Sequence, residues 1–205
     1  MSYDKLASAE SVTKTVAALK NNGFNPIVVS TKEEALAKIK ELIPAGASVM
    51  NGSSQTLSQI GFVDYLKAGQ HGWKNLHEAV LKETDEGKKA ELRKQSSLSD
   101  FYLGSAHALS EGGELVIASA SGSQLPHLVF TSQNIILVVG SQKIAPTLEE
   151  SIKRLREYVF PLENNRMKEV GMGGSIMAKI LILEKEPAFM GRSFNIILVN
   201  ESLGF

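Results

Sequence analysis

Five consecutive apolar residues, Ile135-Ile136-Leu137-Val138-Val139, run into Gly140. A strand with no polar alternate has no face to give to water, so it reads as buried on both sides. The segments before it alternate in type. Residues 7–22 carry Val12, Val16 and Leu19 on one helical stripe, closed by Asn22-Gly23. Phe24 to Val29 reads as a strand. Thr31-Lys32-Glu33-Glu34 is a capping box that opens a helix carrying Ala35, Leu36, Ile39 and Leu42, which Pro44 ends. Ala47 to Met50 is again a strand. With further strands at 114–118, 179–183 and 194–199, this order predicts an α/β fold of three layers, a mainly parallel sheet with helices on both faces, in a single domain over 1–205.

Ligands of such sheets sit beyond the carboxyl ends of the strands. The first such end is Met50-Asn51-Gly52-Ser53-Ser54-Gln55-Thr56-Leu57, a strand that passes through small hydroxyl residues into a helix. Gly52 allows close backbone approach, and Ser53, Ser54 and Thr56 offer hydroxyls beside a helix start, where an anion is favoured. Read locally, Ser53 or Ser54 equally serves as a helix cap. The Glu111 region, Gly122 and Gly140 also neighbour strand ends. Glu111, between Ser110 and Gly112-Gly113, can act as a proton acceptor, a nucleophile or a hydrogen-bond partner for a ligand hydroxyl, or simply occupy a turn.

Composition removes other classes. The formal net charge is zero, so neither nucleic acid nor an anionic membrane is an expected partner. No cysteine is present, which excludes disulfides, a thiol nucleophile and cysteine-held zinc or iron–sulfur clusters. The four histidines, His71, His77, His107 and His127, have no metal-protease spacing, so no metal site is expected and the histidines read as exposed or structural. The dinucleotide fingerprint, the P-loop and the hydrolase elbow are all missing. The opening Met-Ser-Tyr-Asp-Lys-Leu is polar, and the cytoplasm is the expected location.

Three stretches are less regular. Residues 76–94 read as one or two solvent-facing helices broken near Gly87. Gln124 to Phe130 is ambiguous between strand and helix. Thr147-Leu148-Glu149-Glu150 opens a helix that Pro161 should end, followed by a Gly-rich connection from Asn164 to Ser175.

Four segments together resemble the LUD-domain family, the lactate-utilisation proteins formerly classed as a domain of unknown function. They are Gly52-Ser53-Ser54-Gln55-Thr56-Leu57-Ser58-Gln59-Ile60-Gly61; Phe101 to Gly113, with its Ser110-Glu111-Gly112-Gly113; Ile135 to Ile144, including Gly140-Ser141-Gln142-Lys143; and Gly191-Arg192 followed by Ile196 to Phe205. The resemblance implies a fold similar to the ribose-phosphate isomerase, glucosamine-phosphate deaminase and CoA-transferase group. In that group the loop after an early strand holds a phosphate or CoA-type ligand and a later acid does chemistry. It thus implies Glu111 as the catalytic residue and Gly52, Ser53, Ser54, Thr56, Gly112, Gly122, Ser123 and Lys143 as ligand contacts. It also implies support of lactate or related organic-acid utilisation beside separate iron–sulfur subunits, with a homo-oligomer left open and no cofactor identified. A stand-alone enzyme on a phosphorylated sugar or CoA thioester, and a non-catalytic binding or assembly module, are the alternatives. Two stretches depart from the relatives. Ser119-Ala120-Ser121-Gly122-Ser123-Gln124 lacks their acidic residue, and Gly173-Gly174-Ser175-Ile176-Met177-Ala178-Lys179-Ile180-Leu181 lacks the Arg, Asp and Glu of lactate-operon members.

Overall fold

The computed structural model describes residues 3–205; Met1 and Ser2 of the polar opening lie outside the described residues. In chain order the elements are α1 (Ala9–Asn21), β1 (Asn25–Val29), α2 (Lys32–Leu42), β2 (Ser48–Asn51), α3 (Gln55–Gln59), α4 (Phe62–Lys67), β3 (Lys74–Asn75), α5 (Leu76–Lys82), α6 (Glu86–Ser96), β4 (Phe101–Gly104), β5 (Ala108–Ser110), β6 (Leu115–Ser119), β7 (Asn134–Gly140), β8 (Ile144–Ala145), α7 (Leu148–Arg154), α8 (Phe160–Glu169), β9 (Lys179–Leu183) and β10 (Ser193–Val199).

The apolar run is β7, and it lies inside a six-stranded sheet of order β1-β10-β7-β4-β2-β3, every pair parallel. Its side chains alternate between two cores, as the pleat requires. Ile136 and Val138 join a cluster with Ala35 and Ile39 of α2, Leu57 of α3 and Phe62 and Leu66 of α4. Ile135, Leu137 and Val139 join one with Leu19 of α1 and Leu109, Leu115 and Ile117. Helices α2, α3 and α4 cover one face, α1 together with β5 and β6 packs on the other, and the α/β expectation holds.

The strands at 108–119 and 179–183 do not enter that sheet. With β8 they make a second sheet of order β8-β5-β6-β9, in which β6 pairs antiparallel to both β5 and β9 and β5 pairs parallel to β8. One face of it supplies the second core. Ala108 and Val116 on the other face pack under Leu155 and Val159, which belong to the helical stretch between α7 and α8.

Helix starts obey the local chemistry. Ser8, Thr31 and Thr147 are N-caps whose hydroxyls accept the amides of Ser11, Glu34 and Glu150. Two helix boundaries differ from those read in the sequence. The break between α5 and α6 falls at 83–85, where Asp85 caps α6 by accepting the Lys88 amide, so Gly87 lies inside the first turn. Pro161 does not end the helix that begins at Leu148. Residues Leu155–Val159 form a π-helical turn in which the Phe160 amide reaches back to the Leu155 carbonyl, and the chain then continues as α8 to Glu169. Widening the turn accommodates a residue that lacks the next amide donor, which a regular α-turn would not. Half of the Gly-rich connection from Asn164 is thus helix. The ambiguous Gln124–Phe130 stretch is also helical, a short turn that becomes a π-helix over His127–Thr131.

Val138 is 0% exposed at the centre of β7. Val138→Asp should cost about 3–5 kcal/mol, because the carboxylate would be buried without a partner. Urea denaturation measures the loss, and a midpoint equal to that of the unsubstituted protein would contradict this core placement.

Candidate functional site

Four parallel strands end at one edge, and the segments beyond those ends line a single cavity. Gly52–Thr56 come after β2, Ser105–His107 after β4, Lys143 after β7 and Gly204–Phe205 after β10. The cavity has a volume of about 490 Å³. Ala118–Ser121, Ser123 and Gln124, at the carboxyl end of β6, form a hydroxyl-rich side. Leu155, Val159, Phe160, Met167, Met172 and Met177 form an apolar side. Arg166 and Glu163 also line it, held to each other by two hydrogen bonds of 2.7 Å. Among the described residues, Glu163 is the one carboxylate side chain in the lining, and Arg166 offsets its charge.

Lys143 is 2% exposed. Its ammonium donates to Thr56 Oγ1 at 3.0 Å, Ser105 Oγ at 3.1 Å and the Ala106 carbonyl at 3.2 Å, three neutral oxygens. All three partners line the cavity, so Nζ lies at its floor. Burial, with the Arg154 guanidinium nearby, pushes its pKa down to about 7. Arg154 is 1% exposed; it donates to the backbone carbonyls of His107 at 2.5 Å and Tyr3 at 3.2 Å and lies over the Tyr158 ring. Its own pKa is lowered to about 10, chiefly by burial.

His107 stands between these cations. Its Nδ1 accepts the Ala118 amide at 3.1 Å, which puts the ring proton on Nε2. Burial first, then the charges of Lys143 and Arg154, push its pKa down to about 3, so it is neutral. Tyr102 reaches the cavity from β4, donating to Gln124 Oε1 at 3.3 Å while Gln124 Nε2 holds the Ala118 carbonyl at 2.8 Å. A Cβ on Gly52 would sit 2.8 Å from the Tyr102 hydroxyl, which explains glycine where the loop crosses that ring.

The structure brings together Gly52, Ser53, Ser54, Thr56, Ser123 and Lys143. Ser54 does serve as the cap of α3, accepting the Leu57 amide at 3.3 Å, and α3 is only five residues long. The charge at this site comes from Lys143 instead. Gly112, Gly122 and Glu111 do not line the cavity. Gly122 shapes the neighbouring turn at φ +87° against the Lys179 side chain. Gly112 offers its carbonyl to Asn22 Nδ2 at 2.9 Å. Glu111 lies at the β5–β6 turn, its amide bonded to the Ala145 carbonyl at 2.9 Å and its carboxylate 2.8 Å from Lys14 Nζ. The hydrogen bond from Lys14 holds the carboxyl below its ordinary pKa. The expectation that Glu111 and the Gly52–Thr56 loop border one pocket is not met. Ser119, at the far end of β6, reaches the cavity, and the length of that strand, on the order of 13 Å, separates it from the turn.

The sequence reading did not single out Tyr102, Gln124, Arg166 or the pocket position of His107. His107, next to a strand, and Tyr102 both lie within a segment already marked, but nothing local ties either side chain to a cavity.

The chain has counterparts among known proteins. A family model described as the LUD domain matches residues 12–199. The crystal structure of a DUF162 family protein from Deinococcus radiodurans is similar over 96% of this chain and 100% of that one, with a TM-score of 0.57 and 14% sequence identity. At that identity the likeness speaks to the fold alone. No curated protein matches the chain.

Behind the cavity, His127 is 2% exposed, stacks on Tyr102 and shares its Nδ1 with Ser132 Oγ at 2.8 Å. Burial pushes its pKa down to about 4, below histidine's ordinary 6.5. The unfolded chain therefore binds more protons at His107 and His127 between about pH 6.5 and 4. Their contribution to stability is present above pH 6.5 and is lost as pH falls through that window. Urea midpoints measured from pH 7 to 4 should fall, and the fall should be shallower in His127→Gln.

Proposed function

The chain belongs to the LUD domain family, and on that premise we propose that it binds a small anionic organic molecule in the cavity at the carboxyl edge of the parallel sheet, in the service of lactate or related organic-acid utilisation. One observation carries this reading: Lys143, buried at the cavity floor, is matched by neutral oxygens and, among the described residues, bonds to no carboxylate side chain. A buried charge without a counter-charge is expensive, and a ligand anion is what relieves it. Arg154 behind the floor adds a second positive charge, bonded to backbone carbonyls.

In this reading Gly52 gives the ligand room beside Tyr102, and Ser53, Ser54, Thr56 and Ser123 supply hydroxyls around the anionic group. The Met-lined side adapts to the rest of the molecule. The chain has no cysteine, so electron transfer in organic-acid oxidation would fall to iron–sulfur subunits beside it. A phosphorylated sugar is the second reading, favoured by Ser119, Ser121, Ser123 and Gln124 facing the same space.

Titration calorimetry against lactate, pyruvate, ribose 5-phosphate and an acyl-CoA tests the proposal. One of them should bind, and Lys143→Met should weaken it about tenfold to a hundredfold, the loss of a charge-assisted hydrogen bond. Ser53→Asp should weaken it through like-charge repulsion, whereas Glu111→Gln, outside the cavity, should leave it unchanged. Binding indifferent to Lys143→Met would remove the basis of the reading.

A further inference from the structure

We propose that Lys143 is a nucleophile that captures the aldehyde or ketone carbon of its anionic ligand as an imine, which places the ligand among 2-oxo acids and phosphorylated carbonyl compounds. This rests on the anion-binding reading of the same cavity and goes beyond it, since binding needs only the charge of Lys143 and capture needs its lone pair.

The surroundings of Nζ favour a reactive amine. It is enclosed on every side but the cavity, and among the described residues no carboxylate side chain bonds to it to hold the proton in place. The charge of a second cation, Arg154, also acts on it, and desolvation beside another cation is one of the ways in which proteins activate an amine. With a pKa near 7 against 10.5 for an ordinary lysine, a large share of Lys143 is neutral at physiological pH. Of the three oxygens around Nζ, the Ala106 carbonyl can only accept, but the hydroxyls of Thr56 and Ser105 can turn and donate.

The chemistry balances without an oxidant or reductant. The Nζ lone pair adds to the carbonyl carbon, and a proton passes from nitrogen to the former carbonyl oxygen, a transfer that Thr56 and Ser105 are near enough to relay. The carbinolamine then loses that oxygen as water while the C=N bond forms. The products are one imine and one water from one carbonyl and one amine. The imine nitrogen, once protonated, withdraws electrons from the neighbouring carbon. The neutral His107, with its proton on Nε2, lines the same cavity and can donate to the ligand.

Borohydride trapping tests the assignment. The full-length protein is incubated at neutral pH with pyruvate or, separately, with glyceraldehyde 3-phosphate, reduced, digested and mapped by mass spectrometry, with calorimetry of the same mixtures before reduction. The expected result is a single stoichiometric adduct on the Lys143 peptide with one of the two compounds. It should rise with pH between about 6 and 8 and be absent in Lys143→Arg, which keeps the charge and loses the amine. The compound that reacts separates the oxo-acid from the sugar-phosphate class. Binding without an adduct on Lys143, or adducts confined to other lysines, would overturn the nucleophile and leave the anion pocket standing. Neither binding nor adduct with both compounds would overturn the two together. Because the mapping is done on the unsubstituted protein, the result does not depend on whether a Lys143 variant folds.

Discussion

The ammonium group of Lys143 joins three of the four strand ends that make the cavity. It sits just beyond β7, bonds to Thr56 after β2, and bonds to Ser105 and Ala106 after β4. The fourth end is tied in by its neighbours: Gln142 Nε2 holds the Leu203 carbonyl at 2.9 Å, and Thr56 Oγ1 reaches the same oxygen at 3.3 Å. The loops of a parallel sheet have no ladder to fix them against each other. Here one cation with three donors replaces it, and the same group sets the sign of the charge at the floor. Position and electrostatics therefore depend on one side chain, which stays in place through β7 being locked between β4 and β10.

What the sequence made legible was governed by periodicity. An all-apolar β7, the threonine caps at Thr31 and Thr147 and the strand–loop–helix at Met50–Leu57 each state their structure locally and formed as read, although Glu34 takes the Ser30 amide rather than that of Thr31. What it hid was set by distant partners. Nothing local distinguishes strands β5, β6 and β9 from members of the main sheet, because both sheets bury an apolar face in the same core. Pro161 reads as a stop, and only the π turn before it, packed through Leu155 and Val159 on Ala108 and Val116, carries the helix past it. That continuation brings Phe160, Glu163, Arg166 and Met167 to the cavity, so a local exception to the proline rule supplies one wall of the site.

The candidate site divided for the same reason. A glycine-flanked glutamate and a serine-rich loop are both recognisable as residue types, but whether they meet depends on the direction of a hairpin. β5 begins at the cavity and runs away from it, β6 returns, and the turn carrying Glu111 is left at the far end beside α1. Lys143 entered the sequence reading through the family resemblance alone: nothing in its local spacing after Gly140-Ser141-Gln142 foretells its burial. Gly140 gave the better hint, since a Cβ there would lie 2.6 Å from the Glu201 carbonyl, the mark of a crowded strand exit.

Two buried cations differ in what balances their charge. Arg192 sits in the Gly191-Arg192 pair that carried part of the family resemblance, and it is buried with Glu186, their side chains 5% and 6% exposed and their atoms 2.6 Å and 3.0 Å apart. It also donates to the backbone carbonyls of His127 and Leu128. Every charge there has its partner within the chain, so the pair pins the 184–193 linker to the π turn and leaves no attraction over for a ligand. Lys143 is as deeply buried but is matched only by dipoles, and it borders open space. A protein that merely needed to tie its loops together could use a neutral side chain at lower desolvation cost. Retaining a charge at the cavity floor without its counter-charge makes physical sense where the counter-charge, or the carbonyl that consumes the amine, arrives with the ligand.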